Sequence, residues 1–144
     1  MSKGNVTEND IVKFIFNNVA MPSYGTNLQV NLHTADPGEA GTATTNAANY
    51  TGYTSVTVAR SSSGWTNCAA TSPYSADANG PAMKNTNEIA FPECTGGSNT
   101  ITHVSVSVVA TGQILYKGAL VSPLSVSNLI TPRFPAGSLV IAED

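Results

Sequence analysis

Charge is what this sequence has least of. Its 144 residues include six Lys or Arg and nine Asp or Glu, 10% in all, against ~25% in an ordinary globular domain. The few cations are scattered and the net charge is −3, so there is no basic patch to hold nucleic acid or an anionic membrane. No apolar run reaches the ~20 residues that a membrane-spanning helix needs. The N-terminal stretch "MSKGNVTENDIVKFIFNN" lacks the order of charged region, apolar run and small-residue cleavage site that marks an export signal. Synthesis and folding in a cytosol are therefore expected. Cysteine is scarce as well. Cys68 and Cys94 are too few for a disulfide framework, and a reducing compartment would leave both thiols free. There is no internal repeat. A chain this long can bury roughly 70% of its surface without staples, so one domain spanning 1–144 is expected.

What is present is a change of period. Residues 7–19, "TENDIVKFIFNNV", read as the one helix, with Thr7 as cap, Glu8 and Asp10 at the positive end of the dipole, and Val6 and Ile11 as a staple. Ile11, Phe14, Ile15 and Val19 recur at helical spacing and should pack on something apolar. After Pro22 and Gly25 the alternation becomes two. In "LQVNLHT", Leu28, Val30 and Leu32 oppose Gln29, Asn31 and His33; in "TITHVSVSVVA", Val104, Val106 and Val108 oppose His103, Ser105 and Ser107. "YTSVTVAR", "NEIAF", "ILYKGAL", "LSVSNLI" and "SLVIAED" read as further strands, and "ATGQ" as a tight hairpin link. Short strands without a second helix predict an all-β fold, an antiparallel β-sandwich or barrel-like sheet of about six to eight strands. Residues 61–87, small and polar, read as an extended loop or insertion.

The stretch "LHTADPGEAGT" gathers His33, Asp36 and Glu39. A zinc site would want paired His or Cys ligands, and His33 and His103 lie 70 residues apart. A calcium loop would want more acids at alternating positions. A turn explains each residue better. Pro37 suits the second position, Gly38 the third where φ is positive, and Asp36 closes the turn with its side chain. No GxSxG elbow or phosphate loop occurs. Glu88, Glu93 and Asp77 could pair as glycosidase carboxylates, but spacing does not select them. Trp65 suits the edge of a core better than a sugar platform. No catalytic, cofactor-binding or metal-ligating residue is assigned. The strand faces opposite the valines carry Ser, Thr, Asn, Ala and His instead of Lys and Glu, which suits close packing against a neighbouring subunit.

The order of "LQVNLHTADPGEAGT", "YTGYTSVTVAR…GWT", "FPECTGG…TITHVSV", "ILYKGAL" and "FPAGSLVIAED" resembles a group of small tailed-phage virion proteins. These are often labelled tail-fibre-like, and their relatives include capsid decoration, or cement, proteins. The region from Cys68 to Lys84 is longer than their usual pattern. The resemblance implies a non-enzymatic all-β domain without cofactor. It also implies a place on the capsid surface, the major capsid protein of a tailed phage as partner, and a homotrimer at junctions between shell subunits. A tail or fibre component that binds other tail proteins or a host glycan is the next reading. A small hydrolase or carbohydrate-binding sandwich built around Trp65, Glu88 and His103 is a third.

Overall fold

The computed structural model describes residues 1–68 and 81–142. In chain order the elements are β1 (Ser2–Lys3), α1 (Asn5–Asn17), β2 (Asn27–His33), β3 (Val56–Ala59), β4 (Trp65–Cys68), β5 (Ala82–Asn85), β6 (Ile89–Ala90), β7 (Asn99–Val108), β8 (Ile114–Val126), β9 (Arg133–Phe134) and β10 (Val140–Ala142). All pairings are antiparallel. A five-stranded sheet runs β1-β8-β7-β2-β3, a three-stranded sheet runs β10-β5-β4, and β6 pairs with β9. The architecture is all-β and sandwich-like with one N-terminal helix.

The alternation in β2 and β7 determines the core. Val30 faces Val106 and Leu32 faces Val104 in register, and all four are essentially inaccessible. They pack with Trp65 of β4, Ile141 of β10 and Ile89 of β6, so the small sheets cover the valine face of the large one. A run of rings joins the remaining pieces. Tyr50 meets Tyr53 edge-on at 5.4 Å, Tyr53 stacks on Phe91 at 6.3 Å, and Phe91 meets Phe134 edge-on at 6.2 Å. The "ATGQ" link is a hairpin turn: Gly112 takes a φ of 69° and its N–H returns to the Val108 carbonyl at 2.8 Å.

Several expectations need correction. The stretch 61–87 is not all loop, because β4 and β5 lie within it. Each is only four residues long, WTNC and AMKN, too short for hydrophobic alternation to show. Pairing with β10 and the buried Asn85 hold them instead. The Asn85 side chain accepts from Leu139 N–H at 2.9 Å and donates to the carbonyls of Asn87 and Pro135 at 2.8 and 2.9 Å. Residues 69–80, Asp77 among them, lie outside the described residues. "ILYKGAL" and "LSVSNLI" are not separate strands, since β8 runs continuously through Pro123. Proline is tolerated on an edge strand, and among the described residues β8 is covered on its outer side only by the two residues of β1.

The helix spans Asn5–Asn17, two residues earlier at each end than its pattern suggested, with Gly4 and not Thr7 at the cap position. Thr7 is buried, and its hydroxyl donates to the Ile114 carbonyl at 2.8 Å instead of capping. A Cβ at Gly4 would stand 2.5 Å from the same carbonyl oxygen, so only glycine lets the chain enter the helix this close to β8. The staple is absent, with Val6 exposed. Asn18, with a left-handed φ of 54°, ends the helix. Most consequentially, the apolar side chains of α1 do not pack on the chain's own core. From Val12 to Ala20 every residue is exposed.

The core account predicts that Ile101→Ala, at a fully buried position of β7, lowers unfolding stability by about 2–5 kcal/mol. Urea or guanidinium titration followed by circular dichroism measures it.

Candidate functional site

The face of the large sheet opposite the valines is also buried. Asn31, His33, Ser105 and Ser107 are each 0% exposed. Buried polar groups need partners, since leaving one unpaired costs about 1–3 kcal/mol. Here the partners form a closed network. The Asn31 amide donates one N–H to Ser107 Oγ at 2.8 Å and the other to Ser105 Oγ at 3.1 Å. Its carbonyl oxygen accepts the Ser55 hydroxyl at 2.6 Å. His33 Nδ1 faces the Thr45 carbonyl at 2.8 Å, so Nδ1 carries the proton. Nε2 then accepts the Ser105 hydroxyl at 2.8 Å. Burial holds the His33 pKa below the ordinary histidine value, and the ring is neutral at neutral pH.

The segment between β2 and β3 lies over this face. It begins with the turn expected at Asp36-Pro37-Gly38: Gly38 has a φ of 74°, and its N–H donates to Asp36 Oδ1 at 2.8 Å. That bond, followed by the Lys117 ammonium 3.1 Å away, holds the Asp36 carboxyl below the ordinary carboxylate range. Lys117, on β8, is itself nearly buried. Farther on, Ala43 N–H donates to the Gly112 carbonyl of the β7–β8 turn, and Ala48 N–H to the Leu32 carbonyl. Asp36, Ala43, Thr45 and Ala48 thus fasten the segment at the sheet's width and along β2. The same segment carries the base of α1. The Glu39 carbonyl accepts Asn5 N–H at 2.9 Å, and its carboxylate accepts the Ser2 hydroxyl at 2.9 Å.

The structure brings the two histidines together as direct cross-strand partners, which their 70-residue separation hid. They do not make a metal centre. Both ring nitrogens of His33 are engaged, and no group of three His, Cys, Asp or Glu side chains among the described residues is placed to hold an ion. His103 is half-buried, and its Nδ1 lies 2.9 Å from the Thr102 hydroxyl. Glu88 pairs with Arg133 at 3.0 Å on the surface, and Glu93 is exposed. Trp65 sits in the core and lines an open apolar groove of about 480 Å³ with Leu28, Met83, Tyr116 and Ile141. Neither Glu88 nor His103 is in the described wall of that groove, so the Trp65–Glu88–His103 constellation is not assembled. Cys68 and Cys94 are both free and buried.

The Ser- and Asn-rich face expected to lie against a neighbouring subunit is therefore closed by the chain itself. Ser55, Thr45 and Lys117, which close it, were not singled out from the sequence. The available signal was the alternation itself, because a strand face without Lys or Glu is a face that something covers.

The side chains around His33, Asp36 and Lys117 are thus tied into the domain's own structure, while the one helix among the described residues stands uncovered over its upper turns. Comparison with known proteins gives the class: the chain is a tailed-phage virion protein. A family model described as podophage GP4 fiber I protein gp80 matches residues 2–142, and the chain belongs to that family. No curated protein matches it.

The His33 network predicts a pH dependence. A histidine whose folded pKa lies below its unfolded value of about 6.5 leaves stability intact above that pH. As the pH falls below it, the unfolded chain takes up the proton first and stability declines. His33→Gln should abolish that decline between pH 7 and 5 in denaturant titrations. Asp36 contributes only in a lower window, its share being lost as the pH falls through its depressed pKa.

Proposed function

We propose that this chain is a non-enzymatic structural subunit of a phage fiber, acting by assembly with other virion chains. The observation that carries the proposal is α1. Phe14, Ile15 and Phe16 are 54, 62 and 79% exposed on a helix whose base is bonded to the body. Contiguous exposed apolar surface of this kind marks an interaction site. The family description names a fiber protein, and the proposal adopts that part in place of the shell decoration first expected. With it, the expected partner shifts from the major capsid protein to other fiber chains, and the location from the capsid surface to a projecting part of the virion. The homotrimer expectation carries over, since several modest contacts made together hold an assembly that any one of them would not.

Disrupting purified virions, separating heads from tails and counting copies in each fraction tests this reading. Few copies per particle, held in a fiber-bearing fraction, are expected. Copies on heads in fixed ratio to the shell protein would overturn it in favour of a shell decoration.

A further inference from the structure

The open question is what covers α1. Plotted at roughly 100° per residue, Phe14, Ile11, Ile15, Val12 and Phe16 occupy an arc of roughly 200° of α1. Asn9, Asp10, Lys13 and Asn17 fill the opposite side. A helix lying on one surface needs an apolar stripe of only ~100°, so an arc twice as wide calls for neighbours on two sides. Val12 and Ile15 lie three apart near the middle of this arc, and Ile11 and Phe16 flank them at positions where two-stranded coils usually carry charge. With ~150–250 Å² on each aromatic side chain, the exposed apolar area of these turns is on the order of 500 Å². That approaches the ~800 Å² each partner gives to a standard interface. Glu8, the one charge on that arc, lies at the base beside the body.

We propose that α1 is an oligomerisation helix, packing against the same helix of two or more further copies of this chain around a rotation axis. The inference rests on the fiber-subunit reading and names the partner of its assembly surface. Three observations support a second copy as the occupant. Among the described residues the chain has one helix, so helical neighbours must come from other chains. The upper turns carry no charge on the apolar side, hence nothing to repel an identical face and nothing to steer a dissimilar one. The base is held rigidly by Thr7 on Ile114, by Asn5 on Glu39, and by the Gln113 amide, which donates to Thr7 Oγ1 at 3.0 Å and to Asp10 Oδ2 at 3.2 Å. All copies therefore present the helix in one orientation. A trimer is the smallest assembly in which every helix has two neighbours.

Sedimentation velocity of the full chain, with Ile15→Asp and Phe16→Asp introduced together, is the test. The wild type should sediment as a trimer or larger. The variant should sediment as a monomer with an unchanged far-ultraviolet spectrum and melting transition, because these side chains touch none of the chain's own core. Since both native thiols are buried, Ile15→Cys should form disulfide-linked chains on mild oxidation, and Asn17→Cys, on the polar side, far fewer. A wild type that is monomeric or strictly dimeric, or an oligomer the double substitution leaves intact, would overturn the proposal. If the chain is monomeric alone yet the double variant is missing from virions, a different virion protein covers α1. The inference then fails while the fiber reading stands. Absence of the wild-type chain from virions would defeat that reading itself.

Discussion

Asn31 and His33 project from β2 towards Ser105 and Ser107 on β7, and none of the four reaches water. A sheet with valines on one face and unsatisfied polar groups on a second buried face would not be stable. The fold depends on the way the second face is satisfied. Each polar side-chain atom of the network has a hydrogen-bond partner, and one of these partners, the Thr45 carbonyl, belongs to the covering segment. That segment is fastened at Lys117, at Gly112 and along Leu32, and it then serves as the platform for Asn5 and the first turn of α1. The chain of causes from residue types to the exposed helix is thus continuous. Ser and Asn at alternate positions require a polar lid, and the lid orients a helix.

The consequence for function is a division of labour between two kinds of surface. Where side chains with chemical potential lie close together, around His33, Asp36 and Lys117, they are committed to one another and to the backbone. Among the described residues, large apolar side chains stand exposed on the upper turns of α1 and, more diffusely, at Val121 and Leu129. A low charge content suits such a molecule, since charges near an assembly surface would have to be desolvated or matched.

Much of the fold could be read from the sequence because it follows local rules. The valine alternation of β7, the hairpin at Gly112 and the Asp36-Pro37-Gly38 turn each depend on a few neighbouring residues. The remainder depends on distant partners. Nothing near Asn31 or Ser105 in the sequence indicates that residues 34–48, and not a second subunit, cover them. β4 and β5 are held by β10 and by the amide of Asn85, partners up to about half the chain away, and their own composition resembles a loop. The helix shows the converse limit. Its amphipathic pattern calls for an apolar neighbour, but the pattern carries no information on which chain would supply it.

The claim on which the rest hangs is that residues 34–48 form a closed lid on the polar face. Amide hydrogen exchange, read residue by residue by nuclear magnetic resonance, tests it most directly. The account predicts that the Thr34, Ala43 and Ala48 amides, which donate to Asn46, Gly112 and Leu32, exchange as slowly as the interior amides of β2 and β7. Exchange at the rate of an unstructured peptide at these three positions, with β2 and β7 still protected, would show an open polar face and contradict it.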